Sequence, residues 1–293
     1  MKQRAITAFF FAAIMIGGIY WNMRSFQLLF TIIAGVMLWE FFGLVFSSKG
    51  KSNLGDKVFG LLLGITPVIF LGSQIISISF WWCGIDLPED PVAEHLQNTI
   101  ENAGVMFVFL GLIIMPILLI KLFQQGSSIE TAVGHYFLGL FYIGLPIILL
   151  FSIAMPGAIY SPNRVFALLW LIWTNDVFAY LVGSQFGKTK LFERISPKKT
   201  WEGTIGGGIC TLVMAWGLSH WIDDYNQAQW LALGIIVALL ATPGDLIESM
   251  LKRSAGVKDS GTLMPGHGGL LDRFDSFIFV LPFAWLAVIL LGG

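Results

Sequence analysis

Six carboxylates lie within or beside stretches of sequence that are otherwise apolar: Glu40, Asp176, Asp245, Glu248, Asp272 and Asp275. An ionisable group in a hydrocarbon environment is costly, so its presence there indicates a functional role. Asp245 and Glu248 have i, i+3 spacing and share one helix face. Asp272 and Asp275 repeat that spacing in the next apolar stretch. Carboxylate oxygens grouped at a membrane surface suit a hard cation such as Mg²⁺.

A basic, glycine-rich connection joins these two acidic stretches. It covers residues 253–269 and ends in the run Gly266-His267-Gly268-Gly269. Backbone N–H groups of glycines can approach an anion closely, and a helix N-terminus adds a partial positive charge. Ser249 and Lys252 share the helix face of Asp245. We therefore expect this segment to bind phosphate groups beside a cation.

A second polar segment begins at Asp176 and ends in Ser196-Pro197-Lys198-Lys199-Thr200-Trp201-Glu202-Gly203. Its two adjacent lysines are compatible with topogenic charge or lipid headgroup contact, and equally with phosphate binding. The nearby Asp176 and the three glycines at 206–208 favour phosphate binding.

Membrane helices must position these groups. The chain has 293 residues and a mean hydropathy of +0.78, with 56% hydrophobic and 12% charged residues. That composition excludes a soluble globular domain. Nine apolar stretches of about 20 residues predict an all-α integral membrane protein, a polytopic bundle of nine transmembrane helices. The predicted spans are 4–21, 25–46, 58–76, 105–123, 136–155, 163–186, 204–222, 228–251 and 270–291.

The distribution of positive charge predicts the orientation. With nine spans, 15 of the 17 Lys and Arg residues fall on the side of the N-terminus. Only Arg24 and Arg164 fall on the opposite side, where the loop 77–104 is acidic. The positive-inside rule then places the N-terminus in the cytoplasm.

We divide the chain at residue 160. Residues 1–160 would supply five spans and the acidic outside loop, and residues 161–293 would supply four spans and two basic cytoplasmic loops. Because the sequence has no internal repeat, we expect both parts to form a single membrane domain.

The polar segments carry a family resemblance. Ser249-Met250-Leu251-Lys252-Arg253 is followed by Lys258-Asp259 and by residues 265–275, PGHGGLLDRFD. These 27 consecutive positions resemble the signature of the phosphatidate cytidylyltransferases, also called CDP-diacylglycerol synthases. Residues 176–203, with FGKTK and ISPKKTWEG, are similar to a second stretch of that family. The first 160 residues resemble the family only in being hydrophobic.

The resemblance implies an integral membrane enzyme of phospholipid biosynthesis. It would transfer CMP from CTP to phosphatidic acid and release pyrophosphate, in a Mg²⁺-dependent reaction. It also implies a homodimer in a bacterial cytoplasmic membrane, with the active site facing the cytoplasm and no nucleic-acid partner. The number of metals, and whether a second metal or a monovalent cation binds, stay open.

The resemblance also assigns roles to residues. Asp245, Asp272 and Asp275 would hold the metal, with Ser249 and Lys252 beside them as further catalytic residues. His267 is as compatible with capping its loop as with binding phosphate. Because the attacking phosphate is already ionised, no strong general base is expected. The substrate-binding residues would be Asp176, Lys198, Lys199, Thr200, Arg253, Lys258, His267, Gly268 and Arg273.

Other functions are compatible with parts of this pattern. Another CTP-dependent lipid enzyme, such as an isoprenoid alcohol kinase or an ether-lipid cytidylyltransferase, would need similar groups. An ion-coupled transporter would use Asp176, Asp245 and Asp272 as cation ligands, but it predicts inverted repeats, which the sequence lacks. The roles of Glu40 and Glu248 stay open: Glu40 could lie near the site or snorkel, and Glu248 could support the metal site or pair with a base.

Overall fold

The computed structural model describes residues 2–46, 54–82, 129–156, 159–263 and 268–291. The predicted span 105–123, most of the acidic loop 77–104, and His267 lie outside these residues. The helices are α1 (Lys2–Trp21), α2 (Met23–Val45), α3 (Leu54–Trp82), α4 (Ile129–Gly139), α5 (Leu145–Ile153), α6 (Pro162–Phe186), α7 (Trp201–Leu218), α8 (Gln227–Ser254) and α9 (Leu271–Leu290).

Helices occupy the other eight predicted spans. Among the residues that the structure describes, six helical segments are long and apolar enough to cross a membrane. The fold is thus that of a helical integral membrane protein, while the count of nine spans and the cytoplasmic N-terminus stay predictions. The six segments are Met23–Val45, Leu54–Gly72, Val133–Ile153, Pro162–Phe186, Gln227–Ser254 and Leu271–Leu290.

Two features interrupt the regular helices. A π-helical turn, Leu140–Gly144, joins α4 to α5. Two short strands, β1 (Lys190–Phe192) and β2 (Ser196–Thr200), form an antiparallel hairpin between α6 and α7. The sequence predicted neither feature, because both are too short to produce a recognisable periodicity.

Glycines bring α6 and α7 into close contact. A Cβ atom on Gly203 would lie 2.6 Å from the carbonyl oxygen of Ala179 and 2.9 Å from the Cα of Gly183. One on Gly207 would lie 2.7 Å from the carbonyl oxygen of Asn175. Small residues of this kind let membrane helices pack backbone against backbone. The packing fixes the C-terminal half of α6, where Asp176 lies.

A second close approach joins α8 to α9. A Cβ atom on Gly244 would lie 3.0 Å from the Cα of Ser276 and 3.2 Å from the carbonyl oxygen of Asp275. The Ser276 hydroxyl donates a hydrogen bond of 2.9 Å to the carbonyl of Ala241. The crossing therefore brings together the two helices that carry Asp245 and Asp275.

The core includes residues from both parts of the chain. The Phe30 ring on α2 lies 6.3 Å from the Phe274 ring and 6.2 Å from the Phe277 ring on α9, centroid to centroid. The helix that carries Asp272, Arg273 and Asp275 is therefore packed against the N-terminal helix α2.

We predict that Gly203→Ala destabilises the protein by about 1–3 kcal/mol, because its new Cβ meets backbone atoms that cannot rotate away. Gly217→Ala, on the same helix, is the matched control, since nothing lies within 4 Å of its Cβ position. Thermal unfolding in detergent measures both. Equal midpoints for the two variants would contradict the close packing.

Candidate active site

The hairpin positions the lysine pair. Lys190 pairs with Thr200, and Phe192 pairs with Ser196. Successive side chains of a strand point to opposite faces; accordingly Lys198 is exposed, whereas Lys199 is half-buried against α8. Thr200, which the sequence predicted as a substrate-binding residue, is buried. It is the N-cap of α7, and its hydroxyl accepts a 3.2 Å hydrogen bond from Gly203 N–H.

Glu202 holds the other end of the hairpin. Its carboxylate accepts hydrogen bonds of 3.1 Å from the backbone N–H groups of Lys188 and Thr189. The pKa of the Glu202 carboxyl is lower than its ordinary value, because the carboxylate accepts hydrogen bonds from the backbone N–H of Glu202 itself and from Lys188 and Thr189. The first turn of α7 therefore fixes the start of the hairpin.

Lys199 forms an ion pair with Asp245. Its Nζ lies 2.6 Å from Asp245 Oδ2 and donates a weaker, 3.4 Å hydrogen bond to the carbonyl of Thr242. Asp245 Oδ1 accepts a 3.1 Å hydrogen bond from the Ser249 hydroxyl. The Lys199 and Asp245 side chains are 23% and 34% exposed, so both are accessible to a ligand.

Two more carboxylates lie close enough to act electrostatically on this pair. Asp176 on α6 interacts with both Asp245 and Lys199. Asp275 on α9 interacts with Asp245, Asp176 and Lys199. We refer to Asp176, Asp245 and Asp275 together as the acidic cluster. Within it, Asp245 contacts the lysine, and the carboxylates of two further helices act on it electrostatically.

Lys252 lies between two carboxylates of its own. Its Nζ contacts Glu248, one turn earlier on α8, and Asp272 Oδ1 at 2.5 Å. Glu248 is fully buried, while Lys252 and Asp272 side chains are 10% and 9% exposed. This group is therefore much more enclosed than the Lys199–Asp245 pair. Glu248 could have supported the metal site or paired with a base, and the structure shows it paired with Lys252.

The second oxygen of Asp272 organises the loop before α9. Asp272 Oδ2 accepts hydrogen bonds from Ser260 N–H at 2.9 Å, the Ser260 hydroxyl at 3.0 Å and Gly269 N–H at 2.7 Å. Gly268 has φ +83°, and a Cβ atom there would lie 2.6 Å from the same oxygen. Only glycine fits this turn.

Glu40 on α2 supports the same loop from the N-terminal part of the chain. Its carboxylate accepts hydrogen bonds from Leu270 N–H at 3.0 Å, Leu271 N–H at 2.8 Å and the Ser260 hydroxyl at 3.0 Å. A carboxylate at a helix N-terminus satisfies free N–H groups and interacts favourably with the helix dipole. Glu40 is thus near the site, and Ser260 links it to Asp272.

Tyr142 is a site residue that the sequence did not indicate. It lies in the π-helical turn, and its buried hydroxyl oxygen has no hydrogen-bond partner among the residues that the structure describes. The carboxylates of Asp275, Glu248 and Asp245 act electrostatically on it. A buried polar group without a partner calls for an explanation, and π-helical turns frequently occur at functional sites. An aromatic residue inside an apolar span gave no signal by which it could have been found.

Three predicted phosphate-binding residues lie on the outside of the site. Arg253 is exposed, and its Nη1 donates a 2.8 Å hydrogen bond to the carbonyl of Val257. Lys258 and Arg273 are also exposed.

Among the described residues, no three His, Cys, Asp or Glu side chains form a group that could hold a metal ion as they stand. The metal set Asp245, Asp272 and Asp275 stays a prediction.

Comparisons with known proteins agree with the resemblance. A family model described as "Cytidylyltransferase family" matches residues 2–291. The phosphatidate cytidylyltransferase of Staphylococcus aureus (strain COL) is 45% identical over 143 residues, which are 48% of this chain and 53% of that protein. The corresponding protein of Staphylococcus saprophyticus is 46% identical over the same lengths. The chain spans about half the length of the curated relatives it matches.

We predict that Glu40→Gln destabilises the protein by about 1–3 kcal/mol, because an amide nitrogen would face buried N–H or O–H donors. Thermal unfolding measures the change. Glu193→Gln, an exposed carboxylate in the hairpin turn, is the control and should change stability by less than about 0.5 kcal/mol. Equal stability of the two variants would show that Glu40 does not hold the loop.

We also predict that the start of the hairpin loosens in acid. The pKa of the Glu202 carboxyl is lower in the folded protein than its ordinary value of 4.5. The stabilisation of the hairpin by the ionised carboxylate is therefore complete above pH 4.5 and is lost as the pH falls through the lower folded pKa. Hydrogen exchange at Lys188 and Thr189, corrected for intrinsic rates, measures this. Glu202→Gln should remove the pH dependence. An unchanged profile in the variant would contradict the assignment.

Proposed function

The chain belongs to the cytidylyltransferase family, and from this membership and the site geometry we propose that it is a phosphatidate cytidylyltransferase. The family match extends the likeness from the C-terminal segments to nearly the whole chain. The observation that carries the proposal is the ion pair of Lys199 with Asp245, which lies within the acidic cluster carried by α6, α8 and α9. Carboxylates for a cation and lysines for phosphates meet there.

The proposed reaction transfers CMP to phosphatidic acid. A non-bridging oxygen of the phosphatidate phosphate forms a bond to the α-phosphorus of CTP, and the bond from that phosphorus to the bridging oxygen of pyrophosphate breaks. The two reactants together carry on the order of five or six negative charges near neutral pH. The chief task of the site is therefore to neutralise and align phosphates. The ionised nucleophile has no proton to give up, so no base is required.

Lys199 and Lys252 have different parts in this proposal. Lys199 is accessible and carries a positive charge into the acidic cluster, where a phosphate could replace a carboxylate as its partner. Lys252 is enclosed by Glu248 and Asp272, so its main part is to fix α8 relative to the loop before α9. The exposed cations Lys198, Arg253, Lys258 and Arg273 would attract the triphosphate from the cytoplasm.

The donor chemistry of the acidic cluster fits Mg²⁺, which prefers carboxylate oxygens and retains positions for phosphate. We propose that Asp245 and Asp275, with Asp176 nearby, hold the ion. The contacts of Asp272 favour a positioning role, because its oxygens already accept hydrogen bonds from Lys252, Ser260 and Gly269. When bound, Mg²⁺ would neutralise triphosphate charge and stabilise the departing pyrophosphate.

We extend the proposal to the setting of the enzyme. The excess of Lys and Arg on one side of the predicted topology supports an active site that faces the cytoplasm. The bacterial relatives support a location in a bacterial cytoplasmic membrane. A homodimer follows from the family resemblance.

The test is incorporation of labelled CTP into chloroform-soluble lipid by the purified protein with phosphatidic acid and Mg²⁺. We expect labelled lipid with release of pyrophosphate, and loss of both with EDTA. Asp245→Asn should lower the rate by roughly 100-fold or more, as expected when a group that stabilises transition-state charge is lost. Glu193→Gln is the control and should retain full activity.

Two outcomes would contradict the proposal. A folded protein that binds CTP but labels no lipid from phosphatidic acid would indicate a different lipid acceptor. A folded protein that does not bind CTP would favour the ion-coupled transporter.

A further inference from the structure

A groove of about 730 Å³ runs between α2 and α3. Its walls are largely apolar, with Ile32 and Val36 on α2 and Leu62 and Ile65 on α3. Ile32 and Leu62 are 56% and 47% exposed, so the groove opens on the surface that the two candidate membrane helices present outward. An apolar groove of this kind takes an apolar ligand from the bilayer.

The groove is elongated along α2. Its lining residues on that helix, from Ile32 to Gly43, recur at the spacing of a single helix face. At 1.5 Å per residue they span about 16 Å, the length of much of an acyl chain. Gly35 contributes only its backbone to the floor, and the nearest atom to its Cβ position is Ile65 Cδ1 at 3.8 Å. A groove that extends this far along one helix has the length that a hydrocarbon chain needs.

One end of the groove is polar and carries a cation. Lys57 lines it, with its Nζ 5.5 Å from the ring centroid of Trp39. The residues 260–263 of the loop before α9 close the same end. Glu40 is there as well, but its oxygens accept hydrogen bonds from Ser260, Leu270 and Leu271. Lys57 therefore supplies a positive charge at this end, whereas the oxygens of the Glu40 carboxylate beside it are engaged by the loop before α9.

This polar end adjoins the candidate active site. Ser260 lines the groove, and its hydroxyl oxygen lies 3.0 Å from a carboxylate oxygen of Glu40 and 3.0 Å from one of Asp272, so its single proton is shared between the two acceptors. A single residue therefore separates the groove from the carboxylate that positions Lys252. A lipid in the groove would have its headgroup beside the loop that organises the site.

We propose that this groove binds an acyl chain of the phosphatidate substrate, with the lipid phosphate at the Lys57 end. The proposal rests on the proposed function. An anionic headgroup on an apolar chain matches both the cation at one end and the apolar walls along the rest. The groove would then determine acyl-chain preference, and Lys57 would determine preference for an anionic lipid.

The first experiment fills the groove and measures turnover by the full-length protein in nanodiscs. Gly35→Leu places a side chain in the groove, and Gly17→Leu on α1, where nothing lies within 4 Å of the Cβ position, is the control. Gly35→Leu should raise KM roughly tenfold for phosphatidate with 16-carbon chains, the loss expected when about two methylene groups leave apolar contact. KM for six-carbon phosphatidate and for CTP should not change.

Two further variants keep the test independent of one substitution. Leu62→Trp fills the groove from the opposite wall and should reproduce the dependence on chain length if Gly35→Leu proves unstable. Lys57→Gln should raise KM for phosphatidate of both chain lengths, whereas Lys57→Arg should preserve it, because the charge is retained. Thermal unfolding of each variant identifies those that fail to fold.

The second experiment detects binding without turnover. Phosphatidate with a photoreactive acyl chain should label peptides of α2 and α3. Unlabelled phosphatidate should compete more strongly than phosphatidylcholine does. Equal competition would overturn the proposal, since it would indicate ordinary boundary lipid. A change of oligomeric state in Gly35→Leu would also overturn it, because the groove would then seat a second copy of the chain.

The outcomes separate this inference from the proposed function. If the wild-type protein converts phosphatidate but labelling falls elsewhere and Gly35→Leu behaves like Gly17→Leu, the groove assignment is wrong and the function stands. If the groove is specifically labelled but phosphatidate is not converted, the proposed function is wrong, and the substrate role of the groove is wrong with it.

Discussion

Charge in an apolar environment must be paired, and this requirement determines how the C-terminal helices are arranged. Lys252 contacts both Glu248 and Asp272, and Asp272 also accepts hydrogen bonds from Ser260 and Gly269. Removing one member of such a group leaves an uncompensated buried charge, which is more costly than losing a surface ion pair. The network thereby ties α8, the loop and α9 into one arrangement, beside which the more accessible Lys199 and Asp245 remain available for ligands.

Pairing also explains why the N-terminal helices belong to the site. Glu40 is about 230 residues from Leu270 in sequence, yet its carboxylate accepts hydrogen bonds from the first amides of α9. The aromatic contacts of Phe30 with Phe274 and Phe277 hold the same two helices together deeper in the bundle. Residues outside the two C-terminal signature segments therefore position the residues within them.

Much of this arrangement could be predicted from the sequence, and the rest depends on contacts that local patterns do not encode. Hydropathy placed a span at 163–186, and the helix runs over Pro162–Phe186, because a membrane helix must be apolar for about 20 residues. Helical spacing placed Ser249 beside Asp245, and they are hydrogen bonded. The contact of Lys199 with Asp245 depends on a hairpin too short to predict. Thr200 directly precedes a helix, a position typical of an N-cap residue, but the two lysines before it favoured the prediction of phosphate binding.

The π-helical turn at Leu140–Gly144 has a consequence for how this helix can vary. A π-helical turn amounts to one extra residue within an α-helix, so the helices on its two sides are out of phase by roughly 100°. Deleting a single residue there would leave a continuous α-helix of nearly the same length and hydropathy. It would also rotate one side of the helix relative to the other and turn Tyr142 away from the carboxylates. The length of this segment is thus constrained to within one residue by the phase of the helix that follows it.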